Sequence, residues 1–361
     1  MDNLSPTKAI IKLNNIRHNL KLLSRYTDHS EMMAVIKANA YGHGAVTVAK
    51  CLESEGITWF AVATVPEAIE LRQNGIKGRI LVLGALIPEA LPAYETYQLD
   101  LNLHDKSLVN RLINVPYHLN IHVKVDTGMT RLGILPAEFE EVAAALAQYP
   151  HLNVVANWTH YACADDLAQD AFTQSQKDLF SVIAIQKNHL QNTGGILNPT
   201  GHSEKISPHL VRIGVGLWGF DPCEPQQLTG LRPAMLFQSR VAQVKRITKG
   251  SSVSYGRTWF APEDTFVATV AAGYADGYTR SLSNKGWVEV NHRRYPVVGR
   301  ICMDMFMIHV GNKQTVVEGD EVILWGSDTL GATEVARWAE TIPYTLVTGV
   351  SNRVPRFFVE E

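Results

Sequence analysis

Short apolar runs alternate with helix-like segments from about residue 30 to residue 216, and this alternation limits the fold more than any other feature of the chain. The runs are MAVIKA (33–38), WFAVAT (59–64), RILVLG (79–84), LDLNL (99–103), NIHVKVD (120–126), NVVANWTH (153–160), GILNP (195–199) and VRIGVG (211–216). Between them lie amphipathic stretches. In HGAVTVAKCLESEG, Ala45, Val48, Ala49 and Leu52 fall on one helical face. VPEAIELRQNG has proline early and glycine late, the usual helix asymmetry. Eight strands alternating with helices predict a (β/α)8 TIM-type barrel. A doubly wound open sheet is the competing layout, but the G-x-G-x-x-G fingerprint it favours does not follow the first strand.

Two regions lie outside that count. AIIKL (9–13) is followed by a helix-like segment and is expected to pair elsewhere. After about residue 230, short strands broken by glycine, asparagine and proline predict a mostly β C-terminal domain. The expected domains are therefore 1–230 and 231–361, with the boundary in DPCEPQQLTGLRP (221–233).

The net charge of −2 offers no basic surface for nucleic acid. No apolar run approaches the roughly 20 residues that cross a bilayer, and the N-terminus lacks a secretory pattern. Cys51, Cys163, Cys223 and Cys302 are scattered, without metal-ligand spacing. They read as reduced thiols in a cytoplasmic protein, with no metal expected.

Barrel enzymes act at the C-terminal ends of their strands. In this reading Lys37 ends strand one, Lys124 and Asp126 end strand five, and Arg131 follows in the loop. His160 ends strand six, Ser203 follows strand seven, and Arg212, Gly214 and Val215 belong to strand eight and its exit. A lysine able to form an imine, facing a phosphate cradle of Ser203, Gly214 and Val215, points to pyridoxal phosphate.

The segments AVIKANAYGHG (34–44), HVKVDTGMTRLG (122–133), NWTHYACAD (157–165), LVRIGVGLWG (210–219), SVSYGRTW (252–259), AAGYADGY (271–278), VGRICMDM (298–305) and NRVPR (352–356) follow one another in the chain. Together they resemble the alanine racemase family of fold-type III pyridoxal-phosphate enzymes, over essentially the whole chain. The resemblance implies pyridoxal 5'-phosphate as cofactor and two-base racemisation of alanine, in a homodimer with shared sites. It implies that Lys37 carries the cofactor and is one base, and that Tyr255, from the partner chain, is the other. Arg212 would contact the pyridine nitrogen, and His160 would lie against the ring. Tyr41, Ser203, Gly214 and Val215 would hold the phosphate. Arg131 would bond the phenolic oxygen, Met303 would help receive the substrate carboxylate, and Tyr274 would line the entrance. Lys124 matches a lysine that is carbamylated in many relatives and braces the arginine seen here as Arg131; its simpler reading is an ion pair with Asp126.

An arginine stays protonated, so at Arg212 it donates to the ring nitrogen and leaves it unprotonated. The ring is then a weaker electron sink, which disfavours transamination. A decarboxylase of the same barrel class should carry an acidic residue there. Many relatives have tyrosine where this chain has Asn352. The shorter amide leaves room and polar atoms for a hydroxymethyl side chain, so appreciable serine turnover is expected, with a serine-preferring racemase as the alternative. A protein that only stores the cofactor is the alternative from another class. D-Alanine supply for peptidoglycan is implied by the family.

Overall fold

The computed structural model describes residues 4–27, 30–183, 187–198, 208–223 and 225–360. The chain divides into two compact units. They do not follow a single cut near residue 230. One comprises residues 17–40 and 45–232, and the other comprises 1–16, 41–44 and 233–361.

The strands, in chain order, begin with β1 (Lys8–Lys12), β2 (Glu31–Val35), β3 (Trp59–Val62), β4 (Arg79–Val82), β5 (Asp100–Leu103), β6 (Leu119–Lys124), β7 (Leu152–Trp158), β8 (Asn188–His189) and β9 (Leu210–Ile213). β2 to β9 form the first unit's sheet in the order β8-β7-β6-β5-β4-β3-β2-β9, with parallel pairing between the strands in register. Two bonds link its ends: the His209 amide donates to Asn188 O at 3.1 Å, and the Arg212 amide donates to Gln191 O at 3.0 Å. The sheet thereby closes into a barrel. β3 and β5 are buried at every residue, as parallel strands covered on both faces must be. Helices Ala45–Ser54 and Val65–Gln73 occupy the two segments whose periodicity predicts them.

The run 195–199 is not the seventh strand. Residues Thr193–Leu197 form one helical turn, capped by Asn192, whose side chain accepts from the Gly195 amide at 2.9 Å. The strand is Asn188–His189, two polar residues that are both buried. No apolar pattern could mark it, and the His189 ring meets His122 and Arg212 inside the barrel. β2, β6 and β7 stop short of their expected ends, so Lys37, Asp126 and His160 stand just beyond them.

The second unit adds β10 (Met235–Ile247), β11 (Ser252–Val253), β12 (Trp259–Phe260), β13 (Thr265–Val270), β14 (Trp287–Val290), β15 (Arg293–Val298), β16 (Phe306–Gly311), β17 (Glu321–Trp325) and β18 (Arg356–Val359). The long β10 pairs with both β17 and β13, so β10, β13, β16, β15, β14 and β17 make an antiparallel ring. Register shifts after Phe237 and Val241 let one strand serve two neighbours. β1 pairs with β10 and β18, away from the barrel. Helices Ala332–Trp338 and Pro343–Gly349 complete this unit.

Candidate active site

Lys37 lies two residues beyond β2, where the backbone does something L-residues avoid. Ala38, Asn39, Ala40 and Tyr41 all have φ between 52° and 54°, a left-handed helical turn. Each such residue costs about 1–2 kcal/mol, so the turn is held against several kcal/mol of strain. Its supports are visible. The Ala38 amide donates to Glu67 Oε1 at 2.7 Å, and the Ala45 amide donates to Asn39 Oδ1 at 2.7 Å. Glu67 also accepts from the Ala63 and Thr64 amides at 2.8 and 3.2 Å. The unit boundary runs through the turn, after Ala40. In the second unit, Arg356 Nε donates to Gly42 O at 3.1 Å. A Cβ on Gly42 would stand 2.2 Å from Val347 O, so a side chain there is excluded. Burial raises the Tyr41 hydroxyl to about 12, aided by nearby Tyr344.

The barrel rim gathers positive charge. Burial, and then Arg131, lowers the Lys37 ammonium below its usual range, while Glu67 opposes. Lys124 is 1 % exposed. Burial, Arg212 and Arg131, in that order, bring its pKa down to about 7. Its Nζ lies 4.0 Å from the centre of the Trp158 ring and has no hydrogen-bond partner among the described residues. Asp126 is no ion-pair partner for it: Asp126 Oδ1 accepts from the Gly128 and Thr130 amides at 2.9 and 3.0 Å and so shapes the loop that carries Arg131. Among the described residues, Glu67 and Asp126 thus give carboxylate oxygens to backbone amides beside Lys37, Lys124, Arg131 and Arg212.

Arg212 is 3 % exposed and held from several sides. Its Nη1 donates to His189 Nδ1 at 2.7 Å and His189 O at 3.0 Å. Its Nη2 donates to Thr159 O, Leu190 O and His160 Nδ1 at 2.9, 3.0 and 3.1 Å. Burial lowers its pKa to about 9, which still leaves it charged at neutral pH. No hydrogen bond among the described residues engages its Nε–H. His160 is held well below its usual pKa by burial, then by Arg212 and Lys124, so it is neutral. Gly214 donates to Thr193 Oγ1 at 3.2 Å, and a 3-10 turn, Val215–Trp218, starts beside it. The first amides of such a turn have no acceptor within it and suit an anion. Ser203 lies outside the described residues.

These residues fit pyridoxal phosphate. The phosphate and phenolate of that cofactor are anions, matching the group of Lys37, Lys124, Arg131 and Arg212. The spare Nε–H of Arg212 matches a ring-nitrogen acceptor.

The second unit brings its own candidates together on four loops. Tyr255 opens a short turn after β11, with Ser254 and Gly256 at φ 65° and 72°. Ser254 Oγ donates to Arg300 O at 2.5 Å. The amides of Tyr274 and Ala275 donate to Cys302 O and Met303 O at 3.1 and 3.0 Å. Arg353 bridges Asp276 at 2.7 Å and Asp304 at 2.8 Å, next to Asn352. The chemistry-bearing side chains on these loops face solvent: Tyr255 is 71 % exposed, Met303 52 % and Tyr274 42 %, and Asn352 is also exposed.

Sequence reasoning missed Glu67, Asn39, Trp158, His122 and His189. Glu67 left a signal in Thr64-x-x-Glu67, the capping-box spacing, which the structure contains. Trp158 left none. It stacks on His189 at 5.2 Å and lies under both Lys124 and Arg212, but its sequence context reads as ordinary core.

Comparison with known proteins identifies the class. Residues 11–222 match the family model "Alanine racemase, N-terminal domain", and residues 234–358 match "Alanine racemase, C-terminal domain". The alanine racemase of Carboxydothermus hydrogenoformans is 39 % identical, over 99 % of this chain and all of that protein. The enzyme of Symbiobacterium thermophilum is 38 % identical over 99 % of this chain and 98 % of its own length. Among solved structures, alanine racemase from Clostridium difficile superposes with a TM-score of 0.91 at 32 % identity, covering 98 % of this chain and 96 % of that one. Fold and matched domains define an enzyme of the amino-acid racemase class. Within it, the chain belongs to the alanine racemase family.

Proposed function

We propose that the chain interconverts L- and D-alanine with pyridoxal 5'-phosphate by a two-base mechanism. The observation that carries this reading is the left-handed turn beyond β2, which sets a half-buried lysine of lowered pKa beside the cations of the barrel rim. When bound, the cofactor withdraws electron density from the substrate α-carbon and so acidifies its proton. Lys37 would hold the cofactor through its amine and, once released by substrate, move the proton on one face. A lowered pKa keeps more of that amine neutral near pH 7, which a base requires. Arg212 would offer Nε–H to the ring nitrogen, and neutral His160 would lie against the ring. Arg131 would bond the phenolic oxygen. Tyr41, Ser203, Gly214 and Val215 would receive the phosphate.

Tyr255 would move the proton on the opposite face, from a partner chain. Its exposure in the single chain, on loops tied to those of Tyr274 and Met303, supports a homodimer with shared sites. Met303 would help receive the substrate carboxylate and Tyr274 would line the entrance. A solved structure of the Bacillus anthracis enzyme, 33 % identical, is described with bound L-Ala-P. Lys124 would become a carbamate: its neutral amine adds to carbon dioxide and releases one proton. The product is an anion that can brace Arg131, and the unpartnered Nζ supports this.

Asn352 favours some serine turnover alongside alanine, because its amide supplies both a donor and an acceptor. We place the enzyme in the cytoplasm, supported by its free cysteines, with D-alanine for peptidoglycan as its product. A chiral assay of the purified protein on L-alanine and L-serine, with and without added cofactor, tests these readings together. Negligible D-serine beside rapid D-alanine would remove the serine reading. No racemisation of either would leave a cofactor-storage protein.

A further inference from the structure

Arg212 is the near end of a hydrogen-bonded chain that runs through the barrel core to its opposite mouth. His189 Nε2 lies 2.9 Å from His122 Nδ1, and His122 Nε2 lies 3.1 Å from Asp100 Oδ2. Asp100 accepts two bonds from Arg79, Nη2 to Oδ1 at 2.9 Å and Nε to Oδ2 at 3.1 Å. Both histidines are fully buried, and Asp100 is 1 % exposed. Arg79 and Asp100 open β4 and β5, at the strand ends opposite the candidate site, and the Arg79 side chain reaches solvent.

The chemistry of the two ends fixes everything between them. A guanidinium only donates and a carboxylate only accepts. Arg212 therefore donates to His189 Nδ1, which places the His189 proton on Nε2. That proton is given to His122 Nδ1, so His122 also carries its proton on Nε2 and gives it to Asp100. One arrangement satisfies all the links, with both imidazoles neutral. Reversing either tautomer sets two donors or two acceptors face to face in a dry core, a costly fault. The lowered pKa values of both histidines, caused first by burial, agree with neutral rings.

We propose that Asp100 and His122, with Arg79 as anchor, are positioning residues for the reaction: through His189 they fix the orientation of Arg212 and the direction of its hydrogen bonds from the far mouth of the barrel. The proposal rests on the reading of Arg212 as the ring-nitrogen donor. It gives Arg212 an acceptor-only partner on one side, leaving Nε–H for the cofactor. The relay neither moves a proton during turnover nor touches substrate.

Two measurements on the holoenzyme test it. In protein carrying 15N-labelled histidine, long-range proton–nitrogen spectra should show His122 and His189 protonated on Nε2 and bare at Nδ1. An Nδ1-protonated or doubly protonated ring at either position overturns the relay. In parallel, His122→Leu breaks the chain, whereas His122→Gln can restore its direction, with the amide oxygen facing His189 and the amide N–H facing Asp100. His122→Leu should lower kcat about tenfold with KM changed less than about twofold, and should shift the absorption band of the bound cofactor. His122→Gln should recover most of both losses, and Asp100→Asn should resemble His122→Leu. Equal behaviour of the Leu and Gln variants, or an unchanged band and kcat in Asp100→Asn, overturns the proposal. An unmutated protein with the expected tautomers but no racemisation would instead count against the proposed activity.

Discussion

The two units carry their chemistry in opposite ways. In the barrel, Lys124, His189 and Arg212 lie in the dry interior with His160 half-buried at their edge, and burial is the first cause of each displaced pKa. In the second unit, Tyr255, Tyr274, Met303 and Asn352 stand on exposed loops. Yet those loops are not loose: Arg353 ties two of them through Asp276 and Asp304, and backbone bonds tie a third pair. One region is a buried, charged pocket, and the other is an ordered, exposed surface that the proposed function would set against a partner chain. Substitutions in the first should alter chemistry and charge, and substitutions in the second should alter completion of the site.

The largest effect should come from Lys37. Lys37→Ala removes the amine that would hold the cofactor and serve as one of the two proposed bases. Racemisation should fall by about a thousandfold or more in both directions. Reduction with borohydride followed by mass spectrometry should find no cofactor attached to the protein chain. Residual activity near the unmutated level would dissolve the contrast, because the barrel pocket would then not be where the reaction occurs.

Tyr255→Phe comes next, and it probes the other region. If Tyr255 is the second base, its loss should lower activity about a hundredfold to a thousandfold, unequally for the two enantiomers, while bound cofactor stays. Mixing this variant with Lys37→Ala should sharpen the picture further. If Tyr255 acts across a subunit interface, mixed dimers regain one complete site, and activity should reappear. No recovery in verified mixed dimers would mean that both bases come from one chain.

Much of this division was legible in the sequence. Apolar runs at strand spacing outlined seven of the eight barrel strands, and glycine- and proline-broken strands outlined the second sheet. What escaped notice was polar and internal. β8 is two buried polar residues, so hydrophobic periodicity could not mark it. His122 sits in an apolar run, and only the fold shows that its ring meets His189 and Asp100. The left-handed turn was equally hidden, since Ala38 and Ala40 are ordinary helix formers forced into a disfavoured region by tertiary bonds. Sequence reports what is buried against oil more readily than what is buried against other polar atoms.

Gly273→Ala should act on the contact surface by a purely steric route. A Cβ there would lie 2.2 Å from Met303 O, against backbone that cannot swing aside. The variant should lose about 1–3 kcal/mol of stability in urea unfolding. KM for alanine should rise more than kcat falls, because Met303 is displaced while Lys37 is untouched. An unchanged KM would separate Met303 from substrate binding.

Lys124 offers a pH test of the dry pocket. Its folded pKa, about 7, lies below the unfolded value of about 10.4. Between those values the unfolded chain holds a proton that the folded chain has lost. Stability should therefore rise with pH across this window, by at most about 1.4 kcal/mol per unit from this group, and its penalty is complete below pH 7. In carbon dioxide-free buffer, Lys124→Met should be more stable than the unmutated protein at pH 7, with the gap shrinking toward pH 10. A pH-independent gap would mean that Lys124 is not desolvated in solution.

The smallest effect should come from Asn39, and it asks whether the strained turn is held locally. Asn39 does two things: its Oδ1 accepts the Ala45 amide at 2.7 Å, and its short polar side chain tolerates φ of 54°. Asn39→Ala gives up both and should lose about 1–2 kcal/mol. Asn39→Gly gives up only the bond, because glycine accepts positive φ freely, and should lose less. Asn39→Asp keeps the acceptor and should stay within about 0.5 kcal/mol of the unmutated protein. Ranking the three by denaturant midpoint separates hydrogen bond from backbone preference. If all three are neutral, the turn is held from Glu67 and Gly42 instead, and the pocket's order comes from its surroundings rather than from its own loop.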